Sequence, residues 1–154
     1  MAFTKGIKQG FYEPVHPEKW IITESFDTKG KGIKYRSSWE LKFMKFADFN
    51  PQIIKVNSEG VVIPYMNPVK NKVSRYYMDF LIQTQKETFL VEVKPYAQTI
   101  PPSPPKSKTE KSLKNFYKAI ETYAVNKAKW EAAEEFATKS NMKFMIITER
   151  ELGL

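Results

Sequence analysis

Apolar positions come in short, dense runs through the middle of the chain and in a helical rhythm on either side of it. Arg75-Tyr-Tyr-Met-Asp79-Phe-Leu-Ile82 and Phe89-Leu-Val-Glu92-Val-Lys94 are rich in aromatic and branched apolar residues and are bounded by polar stretches, which predicts two strands. The first ends near Thr84 and the second begins near Thr88, so the residues between them make a hairpin turn. Side chains on a strand alternate faces. Glu92 and Lys94 therefore share a face with Leu90, while Val91 and Val93 point the other way. Asp79, on the adjoining strand, meets them if the register brings it opposite.

The flanking segments have a different period. Ser37-Ser-Trp-Glu40 opens a helix that runs to about Asn50, where Pro51 stops it. Trp39, Phe43 and Phe46 form one stripe and Leu41, Met44 and Ala47 a neighbouring one, so the helix is expected to be largely buried. By spacing alone Ser37-x-x-Glu40 is a capping box, in which the glutamate closes back onto the N-cap amide. Ile53–Val56 and Val61–Pro64 are short apolar runs separated by Asn57-Ser-Glu-Gly60, which predicts a hairpin or a bent strand. Asn67 to Ser74 is a polar turn region. From Leu113 through Phe116, Tyr117, Ile120, Tyr123, Ala124 and Ala128 the three- and four-residue spacing marks a long amphipathic helix reaching about Ser140, with Asn141 suited to its C-terminal cap. Lys143-Phe-Met-Ile-Ile-Thr148 then forms a buried strand. Together these elements predict an α/β fold, a small mixed sheet flanked by helices.

Two stretches break the pattern. Residues 1–35 are interrupted by Gly6, Gly10, Gly30, Gly32, Pro14 and Pro17, and carry one apolar run, Trp20-Ile-Ile, a short strand or an anchor. This basic N-terminal arm either grips a phosphate backbone or is a tail that aids solubility. Residues 36–154 form the domain proper. Within it, residues 95–112 change character, with Pro101-Pro-Ser-Pro-Pro105 followed by Lys106, Lys108 and Lys111. Such a run is stiff and extended. Because it directly follows Lys94, it is expected to be a basic flap beside a site, with a surface loop as the alternative.

Composition narrows the chemistry. The 154-residue chain contains no cysteine and one histidine, His16, which removes disulfides, thiolate sites and histidine-rich zinc sites and leaves carboxylates as metal ligands. No apolar run approaches a membrane span, so a membrane partner is not expected. The formal net charge of +8 favours a polyanion, and nucleic acid is the commonest. Asp79 and Glu92 lie inside apolar strands, where an uncompensated carboxylate is costly. Two such acids and the Lys94 ammonium at one end of a hairpin make a site for a divalent cation and a water.

In chain order the candidates are Glu40 on a helix, Asp79 on a strand and Glu92-x-Lys94 on the next. That order resembles the PD-(D/E)xK nuclease superfamily and its restriction-endonuclease-like core. Tyr35-Arg-Ser-Ser-Trp-Glu40, Tyr76-Tyr-Met-Asp79-Phe and Phe144-Met-Ile-Ile-Thr-Glu149 are similar to motifs of its transposon-end endonuclease branch, with Met78 standing where the superfamily name has proline. The superfamily resemblance covers about Tyr35 to Glu149. Length, motif order and the opening Met-Ala-Phe-Thr-Lys-Gly resemble the head-completion nuclease family of T-even-type tailed phages.

The resemblance implies a Mg²⁺-dependent DNA endonuclease, with Mn²⁺ as a substitute ion, that leaves a 5′-phosphate and a 3′-hydroxyl. It implies Asp79, Glu92 and the Val93 carbonyl as metal ligands, Glu40 as a holder of a water or second ion, and Lys94 as the group that orients water or stabilises charge. Arg36, Arg75, Gln98, Lys106, Lys108, Lys111 and Lys127 are weaker candidates for phosphate contact. DNA and phage head or portal-vertex proteins are the implied partners, and the host cytoplasm during assembly or the virion the implied location. The alternative is a basic connector that binds DNA without cutting it.

Overall fold

A computed structural model describes residues 9–21, 26–27 and 32–153. Lys5, Lys8, Lys29 and Lys31 of the basic arm lie outside the described residues. The central sheet has five strands in the order β10 (Lys143–Ile147), β9 (Thr88–Val93), β8 (Phe80–Gln83), β5 (Lys55–Ser58) and β2 (Trp20–Ile21). β9 runs antiparallel to β8 and β8 to β5, while the outer pairs are parallel, so the sheet is mixed. Gly10–Tyr12 (β1), Phe26–Asp27 (β3) and Gly32–Tyr35 (β4) form a small second sheet, and Val62–Asn67 (β6) pairs with Lys72–Tyr77 (β7) in a two-stranded hairpin.

Each face of the central sheet has its own core. On one side α1 (Ser38–Phe49) sets Phe43, Met44 and Ala47 against Val56, Phe80, Ile82, Val91 and Val93. On the other, the second half of α2 (Glu110–Lys139) packs Ala133 and Ala137 with Leu90 and with Ile63, Tyr65, Tyr76 and Met78 around the hairpin. The alternation expected along β9 decides this sorting, since Leu90 faces α2 while Val91 and Val93 face α1. The result is an α/β sandwich with three α-helices among the described residues, the last being α3 (Glu149–Leu152).

Local capping follows the residues. Ser37 Oγ accepts from the Glu40 amide at 3.1 Å, and Thr109 Oγ1 from the Ser112 amide at 3.2 Å. Asn141 takes the left-handed conformation (φ 58°) just beyond α2, a role open to asparagine. Gly32 has φ 99°, and a Cβ there would lie 2.1 Å from the Tyr12 carbonyl, so only glycine lets β1 close on β4.

Several expectations change. The run from Arg75 to Thr84 is two strands, because the chain leaves the hairpin at Met78–Asp79 and enters the central sheet at Phe80. Ile53–Val56 and Val61–Pro64 do not pair with each other, since β5 adds to β8 and β6 to β7. β10 is an edge strand and only half-buried. Phe46 is exposed, and the buried face of α1 is Phe43, Met44, Ala47 and Asp48. The proline- and lysine-rich loop ends at Thr109, so Lys111 belongs to the first turn of α2.

The largest change concerns the N-terminal stretch. Tyr12, Trp20 and Ile33 are core residues, and the backbone from Tyr12 to Trp20 wraps the C-terminal end of α1. Buried Asp48 accepts hydrogen bonds from the Tyr12 hydroxyl, the Val15 amide (2.7 Å), the His16 amide (3.0 Å) and Trp20 Nε1 (3.3 Å). Lys19 Nζ caps the helix by donating to the carbonyls of Ala47, Asp48 and Asn50 at 3.2, 2.8 and 2.7 Å.

Candidate active site

The register of β8 on β9 builds the site. Phe80 lies opposite Val91 and Leu81 opposite Leu90, so one further step brings Asp79 beside Glu92. That step is held by hydrogen bonds on both sides of the β7–β8 break. The Met78 amide donates to the Val61 carbonyl at 2.9 Å, the Glu59 amide to the Asp79 carbonyl at 3.1 Å, and the Val93 amide to Asp79 Oδ2 at 2.8 Å. Met78 is itself buried in the core on the α2 side, so the residue that stands in for proline pins the bend by packing.

Glu92 is buried and both of its oxygens are engaged. Oε2 accepts from the Tyr76 hydroxyl, and Oε1 lies 3.5 Å from Lys94 Nζ. Burial, then the Glu92 charge, pushes the Tyr76 hydroxyl well above its ordinary value, so it stays a donor at all physiological pH. Asp79 is held well above the usual carboxylate range, first by burial and then by the charges of Glu92 and Glu40, which outweigh the Val93 amide and Lys94.

Glu40 sits in the first turn of α1, and its Oε2 accepts from the Arg36 amide at 2.9 Å, one residue before the N-cap amide that the capping-box spacing predicts. Burial raises its pKa, with Glu59 and Glu92 adding to the rise and the Arg36 amide opposing it. The same carboxyl therefore closes the helix start and feels the site's charges.

The donor set is hard oxygen throughout, which suits Mg²⁺ or Mn²⁺. Among the described residues, however, no three Asp, Glu, His or Cys side chains close on one ion-sized point. Glu92 is turned toward Tyr76 and Lys94, one partner on each oxygen, and each oxygen keeps a further acceptor position.

The remaining candidates scatter. Arg36 is committed to Glu59, with Nε 2.8 Å from Oε1 and a second nitrogen 3.3 Å from Oε2. Arg75 lies exposed on the outer face of β7, opposite Pro64, and the break after Tyr77 separates its strand from Asp79. Lys106, Lys108, Lys111 and Lys127 are exposed, and Gln98 is half-buried in the 3-10 turn at Tyr96–Gln98. The base of the flap is tied to α3, where Glu149 Oε1 accepts from the Tyr96 amide at 2.7 Å and the Arg150 guanidinium stacks 3.5 Å from the Tyr96 ring centroid.

Three neighbours of the site carry signals that pattern reading passes over. Tyr76 is the inward residue of a strand already noted for its motif. Glu59 adopts φ 55°, strained for a glutamate, in a turn beside the site. Lys129 interrupts the apolar stripe Val125, Ala132, Ala133, Phe136 of α2, and such a charge on a packed face is the clue to a task.

Comparison with known proteins gives the family of the chain. Residues 50–149 match the family model described as TnsA-like endonuclease N terminal. The chain is also 40% identical over 134 residues to the head completion nuclease of Enterobacteria phage T4, covering 85% of this chain and 89% of that protein. The matched family segment includes Asp79, Glu92 and Lys94, while Glu40 precedes it.

Proposed function

Since this chain belongs to the TnsA-like endonuclease family, we propose that it cuts DNA at the Asp79–Glu92–Lys94 site during completion of a phage head. The reading rests on one observation above the others. The β8–β9 register sets Asp79 next to Glu92-x-Lys94, with the Val93 amide fixing the aspartate.

Asp79, Glu92 and the Val93 carbonyl would hold Mg²⁺, or Mn²⁺ in its place, with Glu40 holding a water or a second ion. Bound there, the cation supplies Lewis-acid activation of water and offsets phosphate charge. The protein's own groups do the rest. Lys94 orients the attacking water and stabilises charge developing on the phosphoryl oxygens. Water's oxygen bonds to phosphorus as the bond to the 3′ oxygen breaks, which leaves a 3′-hydroxyl and a 5′-phosphate. Tyr76 fixes the Glu92 carboxylate, and Glu40 ties the start of α1 to the site. The flap lysines and Lys127 attract the DNA backbone without reading sequence. The partners are DNA and proteins of the phage head or portal vertex, in the host cytoplasm during assembly or in the virion.

A second reading has its own support. Both Glu92 oxygens have partners within the protein and, among the described residues, no three acids converge, as expected of a DNA-binding connector that keeps the fold without the chemistry. Supercoiled and linear DNA, incubated with Mg²⁺ or with EDTA, separate the two. Cutting that needs the metal and disappears in Asp79→Ala and Lys94→Ala supports the nuclease. DNA retention with no cutting under any condition supports the connector.

A further inference from the structure

Lys129 projects from the face of α2 that packs on the β6–β7 hairpin. Its ammonium lies 5.8 Å from the centroid of the Tyr65 ring and 5.5 Å from that of Tyr76, and the two rings meet edge to face at 6.5 Å. Ring faces attract a cation, so two aromatics hold this one in place. The second ring is the one whose hydroxyl grips Glu92. The Lys129 amine feels the charges of Lys94, Glu92 and Asp79, which places it in the site's field. Yet Lys129 forms no ion pair with a carboxylate among the described residues, whereas Lys94 does. A half-buried ammonium with no anionic partner loses hydration that the rings only partly replace. Burial, then Lys94, accordingly lowers its pKa.

Resting on the endonuclease reading, we propose that Lys129 is a second substrate-contacting cation of the site, held over Tyr65 and Tyr76 to meet a phosphate of the bound DNA strand. A phosphate supplies the anion that Lys129 lacks within the protein. An ammonium on an aromatic shelf is a point charge of the kind suited to backbone contact without base readout. Lys127, two residues earlier, points to solvent on the opposite side of the same helix and has no such shelf.

The test compares wild type with Lys129→Met and Lys129→Arg, on a short duplex in EDTA for binding and in Mg²⁺ for cutting. Binding is measured across a salt series. Lys129→Met should flatten the slope of log affinity against log salt by about 0.9, the share of one phosphate contact, and weaken binding roughly fivefold to tenfold at low salt. Its KM should rise by a similar factor with kcat within about twofold, the pattern of a lost uniform contact. Lys129→Arg should restore the slope. Thermal unfolding provides the control. An unchanged slope in Lys129→Met overturns the proposal, whether or not the unfolding midpoint moves, because a lysine that only screens Asp79 and Glu92 would act on stability alone. If wild type binds but never cuts, the endonuclease reading fails by itself, and the salt slopes still decide whether Lys129 touches phosphate.

Discussion

Asp48 and Asp79 both lie beside the apolar core, and they are opposites. Asp48, near the end of α1, is buried and accepts four hydrogen bonds from Tyr12, Val15, His16 and Trp20. Burial pushes its carboxyl up, but those donors outweigh burial and hold it below the ordinary range. Asp79 accepts one amide, faces Glu92 and Glu40, and is pushed well above that range. The same side chain is thus a satisfied structural anion in one place and an under-satisfied one in the other. A fold gains nothing from two carboxylates crowded beside a third, and this acid left short of donors is the feature on which the proposed site rests. The more deeply buried of the two is the satisfied one, so it is the supply of donors that separates them.

Crossing the two substitutions should separate activity from stability. Asp79→Asn removes the crowded charge at constant shape and is expected to cut cleavage by at least about 10³-fold. In EDTA its unfolding midpoint should hold or rise, since a strained functional group has been neutralised. Asp48→Ala leaves the Tyr12, Val15, His16 and Trp20 donors without an acceptor and should cost roughly 3–5 kcal/mol, while the activity of the folded fraction persists. Denaturant titration and a plasmid-cutting assay on both variants check the pair. A large stability loss at position 79 together with a small one at position 48 would sink the contrast.

Acid titration sharpens the comparison further. The Asp48 carboxyl is lower in the folded state than in the unfolded chain. Its contribution is therefore full above the unfolded value of about 3.9 and is lost as pH falls through the folded value. Wild type should then lose more stability than Asp48→Asn as pH drops below about 4. Asp79 has the opposite sign. Its folded value is raised, so its contribution is present below about pH 3.9 and disappears as pH climbs through that raised value. Without metal, Asp79→Asn should gain on wild type from acid toward neutral pH, and parallel stability profiles for the two proteins would contradict the assignment.

The part of this molecule written in local pattern was legible from sequence. α1, α2, β9 and β10 follow from period and caps, and Asp79 with Glu92-x-Lys94 follows from alternation once the hairpin is paired correctly. What escaped depends on contacts distant along the chain. Nothing local to Arg75–Ile82 signals that the strand breaks at Met78, because the break is set by Val61 and Glu59 hydrogen-bonding to it from another turn. Tyr12, Lys19 and Trp20 look like parts of an irregular arm because their partners lie some thirty residues away on α1. Asp48 and Lys129 stand as charges on apolar helical faces, a weaker signal than period or caps.

The smallest expected effect falls on the structural side, at Lys19. An aspartate near the end of α1 sits at the negative pole of the helix, where a second negative charge is unfavourable. Lys19 offsets this by laying its ammonium on the carbonyls of Ala47, Asp48 and Asn50, so it serves both as a cap and as a counter-charge. Lys19→Met keeps most of the side chain's length and removes only the charge and its three hydrogen bonds. Lys19 itself is only half-buried, so solvation of the ammonium already competes with those bonds, and the loss should be only about 0.5–1 kcal/mol, read from denaturant midpoints. High salt should shrink the difference between wild type and variant, because a charge–dipole contact at a surface is screened. Cleavage should be unchanged, as the cap lies at the end of α1 remote from Glu40. A Lys19→Met variant that folds normally but cuts DNA less would mean that this end of the molecule also touches substrate, and the division between a structural and a functional aspartate would have to be redrawn around α1.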